Sequence, residues 1–591
     1  ERFWDQAEDR ILDALKDYSE QAENGRAIRR RLFADDAARG FAFIDLCRKR
    51  YDVVLMNPPF GESASATKEY LGTAFSASKY DLFAMFVIRW LERLNISGRL
   101  GAITNKTGFF LQTFATWREI ISSGGSTLET ALDLGFGVLD SAMVETMSYV
   151  LSKVGNQNTN GTVFIRLANV TEKASALYNY LGTLRSGRHL TNVWLRQTSE
   201  FRAIPNSPMC YWAGRGFVDL FLNYHPFAPN SGHIYQGIAT GDNFRFLRCR
   251  WEISPDVIAS KEWVTYAKGG VSTLWYSDFP LVVLWANDGS EIKANAQQCY
   301  GSASRTVKNE IVFFKAGLTY TQVTVKGFFA RVLPAGCVFD MKGPSVILEG
   351  EKHLVGLGVF CSTPIRAIAK LLTDCRQWHP TNMMCIPYPT IQASEIDVLQ
   401  SAVSHLIAAR RDSLTADEIS SCYCFGRTVH ALESESALSS SIDEIVAKGF
   451  GSQVSDFVEL DSILKAEQDD DGSEDDSTEQ SEIPDDNYSV MSRMMGFLFG
   501  RWDIRIAIDP ELAPKLPDPF DPLPVCPPGM LVGTDGLPAE PNRIVSEEWL
   551  RARPDADTLP PDGSVKNPTI PDSEYPLRIS WDGVLVDDPG F

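Results

Sequence analysis

The stretch "YDVVLMNPPFGE", residues 51–62, decides how this chain is read. Tyr51 to Met56 is short, β-branched and continuously apolar, the character of a strand buried on both faces in a parallel sheet covered by helices. The run stops at Asn57. Pro58 and Pro59 donate no backbone N–H and hold φ fixed, so the strand cannot continue and the loop carbonyls have no ladder partners. In an open α/β sheet, a loop at the carboxyl end of a strand lies where ligands bind.

Those residue types suit methylation of an exocyclic amine. The lone pair of such an amine is conjugated with its ring, so the amine is a weak nucleophile. Acceptors for both of its N–H groups favour the reacting form, and the Asn57 side-chain oxygen with a prolyl carbonyl supplies two. Phe60 is then placed to stack on the base, which must leave the helix to present its amine. Such stacking contributes roughly 1–3 kcal/mol. Taken alone, the loop also fits cytosine N4, a glutamine amide, or a plain rigid turn.

Outward from the loop, the pattern alternates. "FWDQAEDRILDALKDYSEQA" at the N-terminus and "DDAARGFAFIDLCRKR", residues 35–50, have helical spacing. A Gly/Ser/Ala-rich stretch, 61–78, suggests a lid. "YDLFAMFVIRWLERL", 80–94, reads as an apolar helix, followed by "SGRLGAITN" as a strand. The alternation predicts a doubly wound sheet. "GFGVLD", 135–140, reads as a turn beside the site. Upstream of Asn57 there is no Gly-rich turn of the kind that holds S-adenosylmethionine.

At 591 residues the chain predicts two to four domains. With 44% hydrophobic and 22% charged residues and no span-length apolar run, it reads as soluble and cytoplasmic, with no membrane partner. The 11 cysteines show no zinc spacing, so buried reduced thiols are expected and no metal. The net charge of −20 argues against non-specific coating of nucleic acid, yet much of the excess sits in residues 466–487. The chain opens at Glu1 in mid-helix pattern and ends at "VDDPGF", as an internal piece of a larger protein would.

From about Thr191, aromatics and arginines rise among short strand-like runs. "GIATGDNFRFLRCRW" sets Thr240, Asn243, Arg245 and Arg248 among aromatics, with Gly237 and Gly241 permitting close backbone approach. Such groups read base edges or clamp phosphates. Lys268, Arg305, Lys315, Lys326, Arg331 and Lys342 recur as a basic groove would require, and Lys268 and Arg331 join the DNA-binding candidates. "SEIDVLQSAVSHLIAARRDSL" predicts a helix capped by Ser394. Arg501 and Arg505 are further phosphate-contact candidates, and the Pro-rich end reads as extended chain.

The ordered set "YDVVLMNPPFGE", "YDLFAMFVIRWLERLNISGRLGAITNKTGFF" and "LGFGVLDSAMVETMSYVL" resembles the amino-methyltransferase half of large adenine-specific DNA methyltransferases. That family includes type IIG restriction-modification enzymes and the PglX-like enzymes of BREX and DISARM phage defence. "IYQGIATGDNFRFLR" resembles the start of their target-recognition region. The resemblance implies adenine N6 as acceptor and S-adenosylmethionine as donor. It implies catalytic roles for Asn57, Pro58, Pro59 and Phe60. Tyr80, Asp81 and Leu82 become cofactor contacts, although Asp81 also suits a plain helix N-terminus. Phe136 is a candidate second aromatic on the base.

The expected fold is α/β: part of a doubly wound Rossmann-like methyltransferase sheet, then a β-rich target-recognition domain and a helical or irregular C-terminal region. The expected boundaries are 1–155 for the C-terminal half of the catalytic domain, 191–390 for target recognition, 391–465 helical, 466–487 an acidic linker, and 488–591 a C-terminal region. The expected function is site-specific adenine-N6 methylation of double-stranded DNA, with other defence proteins as further partners. The alternative is a non-catalytic DNA-recognition or scaffold subunit that keeps the fold.

Overall fold

The structure, a computed structural model, describes residues 46–424 apart from 123–124, 140–143, 154–160, 189 and 374–376. It also describes 435–465, 494–497, 501–509 and 515–530, with scattered positions within 10–44 and 491–538. The acidic linker and most of the N-terminal helix expected from sequence lie outside the described residues, whereas the Pro-rich stretch 515–530 is described and, apart from a bridge between Trp502 and Met530, holds no helix or strand. The chain divides into two compact units, 1–202 and 203–591.

The first unit is α/β, built on one six-stranded sheet in the order β1-β2-β4-β3-β5-β6. In chain order the elements are β1 (Tyr51–Met56), α1 (Lys68–Ala74), α2 (Leu82–Glu92), β2 (Leu94–Asn105) and α3 (Ala115–Ser122). There follow β3 (Ser126–Gly135), β4 (Thr146–Lys153), β5 (Thr162–Arg166), α4 (Lys173–Arg185) and β6 (Val193–Arg196). β1 runs parallel to β2, with Met56 beside Ala102. β3 runs parallel to β5, while β4 is antiparallel to both β2 and β3. The sheet is therefore mixed, not a simple repeat of strand and helix, and it extends through β6, past residue 155. The Gly/Ser/Ala-rich stretch contains α1.

One expectation about β1 is corrected. Val53 is 62% and Leu55 81% exposed, so the strand is covered on one face only among the described residues. The apolar run reports a strand made to be covered, and the described part of the chain does not cover it. Beneath the sheet's carboxyl edge, Phe83, Phe109, Phe114, Trp117 and Tyr149 pack largely edge to face, with centroids 5.2–6.5 Å apart.

The second unit contains two four-stranded sheets, ordered β13-β9-β10-β8 and β12-β11-β14-β7. Their strands are β7 (Gly232–Tyr235), β8 (Leu247–Cys249), β9 (Trp263–Ala267), β10 (Leu281–Leu284), β11 (Gly317–Tyr320), β12 (Ala330–Leu333), β13 (Val338–Phe339) and β14 (Ser345–Leu348). Helix α5 (Ala286–Tyr300) lies between the β10 and β11 segments of the chain, and α6 (His353–Cys361) and α7 (Ala393–Ser413) follow. Residue 392, a glutamine, occupies the N-cap of α7 without a side-chain bond. Ser394, read as the cap, lies inside the first turn. The described cysteines are free thiols, most of them buried. No described helix is long and apolar enough to cross a membrane, and no described cluster of His, Cys, Asp or Glu is arranged to hold a metal.

Candidate functional site

β1, β2, β3 and β5 point the same way, so their carboxyl ends share one edge of the sheet. The Asn57 loop leaves β1 at that edge. Asn57 is exposed, Pro58 buried, Pro59 exposed and Phe60 half-buried. The Phe60 ring meets Phe83 edge-on at 6.4 Å between centroids. Through Phe83 the loop joins the aromatic cluster, which limits how far the Phe60 ring can swing.

The residues read as cofactor contacts lie against this same loop. Asp81 is the N-cap of α2, and its Oδ1 accepts from the backbone N–H of Phe83 at 3.1 Å. The same oxygen accepts from the N–H of Gly61 at 3.0 Å. The Leu82 N–H in turn donates to the Gly61 carbonyl at 2.9 Å. Burial pushes the Asp81 carboxyl above its ordinary range, and its bonds from Phe83, Gly61 and Leu82 oppose the shift. Tyr80 is 50% exposed and Leu82 half-buried. An exposed ring and a neighbouring aliphatic group offer a surface on which a flat nucleobase could lie.

Sequence reading missed a buried ionic group at this edge. Lys106, the first residue after β2, is 8% exposed, and its Nζ lies 3.0 Å from Asp133 Oδ2 and 3.6 Å from Glu145 Oε1. Asp133 is 1% exposed. Its signal was available, since "ALDLG" sets an aspartate between two leucines near the end of β3, where a buried charge needs a partner. The turn after β3 follows at once. Gly135 has φ +62°, and a Cβ there would meet Ala168 at 2.9 Å, so the turn requires glycine. Phe136 is half-buried between Gly135 and Gly137.

In the second unit, the segment 240–248 is a built turn. Asp242 Oδ1 accepts from the Arg245 N–H at 3.1 Å, and Thr240 Oγ1 donates to Asn243 Oδ1 at 2.5 Å. Asn243 and Arg245 are exposed, and Thr240 is buried. Arg245 pairs with Glu291 at 2.9 Å. Arg248 Nη1 donates to the carbonyls of Phe244 and Leu247, both at 2.6 Å, and its guanidinium lies over Trp263. Phe244 stands 94% exposed between these arginines.

Backbone bonds join this turn to other basic segments. Ala239 donates to Thr306 and Ile238 to Phe339; Met341 donates back to Ile238, Gln322 to Lys342, and Trp378 to Gln322. Gly237 is needed here, because a Cβ would occupy the place of the Phe339 carbonyl oxygen. A Cβ at Gly269 would likewise meet the Lys342 carbonyl oxygen. Lys268, Arg305, Lys315, Lys326 and Lys342 are exposed. Arg331 is not: it is 1% exposed, with Nη1 donating to Val271 O at 3.1 Å and Nη2 to Lys268 O at 3.3 Å. The reading of Arg331 as a DNA contact is therefore corrected. It braces the backbone of 268–271 from below. Arg501, 8% exposed over the Trp502 ring, and Arg505, paired with Asp503, are likewise engaged within the protein.

Residues 3–134 match the family model of the Eco57I restriction-modification methylases. The chain is 27% identical over 323 residues to the adenine-specific methyltransferase PglX of Lacticaseibacillus casei (strain Zhang), covering 52% of this chain and 26% of that protein. It is also 27% identical over 320 residues to the adenine-specific methyltransferase BrxX of Escherichia coli O9:H4 (strain HS), covering 52% and 25%. The chain is thus similar, over about half of its length, to two adenine-specific methyltransferases of the PglX kind. Its aligned part spans about a quarter of the length of these PglX-like relatives. A solved structure of the type IIL restriction-modification enzyme MmeI in complex with DNA overlaps 71% of this chain and 57% of its own, at 12% identity and a TM-score of 0.48.

Proposed function

We propose that this PglX-like chain forms part of a site-specific DNA adenine-N6 methyltransferase of a phage-defence or restriction-modification system. One observation carries the reading: an exposed Asn57, followed by two prolines and a half-buried Phe60, stands at the carboxyl end of β1. In this reading the Asn57 oxygen and the Pro58 carbonyl accept the two N–H groups of an extrahelical adenine, while Phe60 stacks on its face. S-adenosylmethionine, when bound, supplies an electrophilic methyl group for direct in-line transfer. Tyr80 and Leu82 are the residues of this chain that would meet its adenine.

The second unit is assigned target recognition. Asn243, Arg245 and Arg248 are proposed to meet DNA together with Lys268, Lys342 and their exposed neighbours, and Thr240 to hold Asn243 in place. The test is to incubate the intact protein with labelled S-adenosylmethionine and host DNA, then identify the modified nucleoside by mass spectrometry. N6-methyladenine is the expected product. Label in protein or RNA but not in DNA would replace the substrate, and absence of transfer and of cofactor binding would favour a DNA-recognition scaffold.

A further inference from the structure

Asp81 is doubly committed, and the two commitments belong to different parts of the fold. As an N-cap it needs only one bond, to Phe83. The second bond reaches back across the chain to Gly61, the residue after Phe60. Gly61 has φ +104°, a conformation that L side chains rarely adopt, and open space where a Cβ would stand. Its N–H is taken by Asp81 and its carbonyl by Leu82, so both of its backbone groups are gripped by the start of α2. Phe83, the next residue but one, meets the Phe60 ring. Three successive residues of one segment thus hold two successive residues of the other.

We propose that Asp81 is a positioning residue: its carboxylate holds the Asn57–Phe60 loop in register through Gly61, so that the start of α2 and the amine-accepting loop move as one piece. The proposal rests on the methyltransferase reading for its consequence, not for its geometry. A loop so tethered presents the Asn57 oxygen and the Phe60 ring at a fixed place relative to Tyr80 and Leu82. A charged acceptor suits the task, because amide bonds to carboxylates are stronger than those to neutral groups.

The experiment compares Asp81→Ser, Asp81→Asn and Gly61→Ala in the intact protein. Serine still caps α2 but is too short to reach Gly61; asparagine keeps an acceptor at the position of Oδ1. Hydrogen exchange at the Gly61 amide reads the tether without any chemistry. Asp81→Ser is expected to speed that exchange about tenfold or more, the effect of losing one charge-assisted bond, with the melting temperature nearly unchanged. In methyl transfer the same variant is expected to lower kcat by a similar factor and leave DNA affinity within about twofold. Asp81→Asn is expected to restore most of both, and Gly61→Ala to resemble Asp81→Ser. Wild-type exchange and wild-type kcat in Asp81→Ser would overturn the proposal, as would equal loss in Asp81→Ser and Asp81→Asn. Faster exchange in a protein that methylates no DNA would support the tether while removing the methyltransferase reading.

Discussion

Lys106 Nζ stands 3.0 Å from Asp133 Oδ2, one residue projecting from the end of β2 and the other from β3, with both side chains almost wholly out of water. A pair so placed is costly to break from one side, because the survivor keeps its desolvation penalty without its partner. Glu145, 3.6 Å from the same ammonium, adds a second carboxylate that would be left behind.

Lys106→Met is therefore expected to destabilise the first unit by about 3–5 kcal/mol, measured as a lower urea midpoint. Lys106→Met with Asp133→Asn should recover part of that loss. If the double variant were as unstable as the sum of the two single ones, the pair would not be coupled.

Asn57→Ala is expected to abolish methyl transfer while DNA affinity stays nearly unchanged, since the side chain is exposed and supports no packing. The comparison is of single-turnover rate with gel-shift affinity. A rate near wild type would remove Asn57 from the amine.

Phe60→Ala is expected to weaken binding of a duplex carrying an extrahelical adenine by ~1–3 kcal/mol, with a smaller effect on fully paired DNA. Phe60→Trp should retain most of the affinity. Equal losses on both DNAs would point to a disturbed aromatic cluster instead of a lost stacking platform.

Lys342→Ala and Arg331→Met separate two kinds of basic residue. Lys342→Ala should weaken DNA binding evenly across sequences and reduce the salt slope by about one. Arg331→Met should lower stability of the second unit, because the carbonyls of Lys268 and Val271 lose their buried donor. An unaltered melting temperature for Arg331→Met would contradict that account.

His379 is expected to make the second unit less stable as pH falls through the histidine range. Burial, then the nearby charges of Lys342 and Lys308, hold its pKa below the ordinary 6.5. Between the folded and unfolded values the unfolded chain binds the extra proton, so stability is present above 6.5 and declines below it. Its Nδ1 also accepts from the Thr381 N–H, a cap that protonation removes. A His379→Asn variant should show a flatter stability profile over that window.

Sequence reading reached the elements whose causes are local. The end of β1 is dictated by Pro58 and Pro59, and the apolar positions of α2 with Asp81 before them announce the helix and an acidic start, which the structure makes its N-cap. The ordered motifs then supplied the family. What escaped depends on partners far along the chain. The alternation in 146–153 is the same whichever neighbours the strand takes, so its antiparallel place between β2 and β3 was not legible. Arg331 looks like its exposed neighbours in composition, and only the carbonyls of Lys268 and Val271 explain its burial. The second bond of Asp81 was hidden for the same reason. An N-cap can be read locally; a tether to Gly61 cannot.

The strand order also has a kinetic side. β4 is the neighbour of both β2 and β3, yet it is the last of the three to be made. A chain emerging from the ribosome must carry β2 with one unpaired edge, and β3 with two, until residues 146–153 arrive between them. Those edges are templates for association with other chains, and pairing that waits on a distant segment is slow. A chain cut after Gly135 should therefore aggregate, whereas one cut after Arg202 would leave the six-stranded sheet whole.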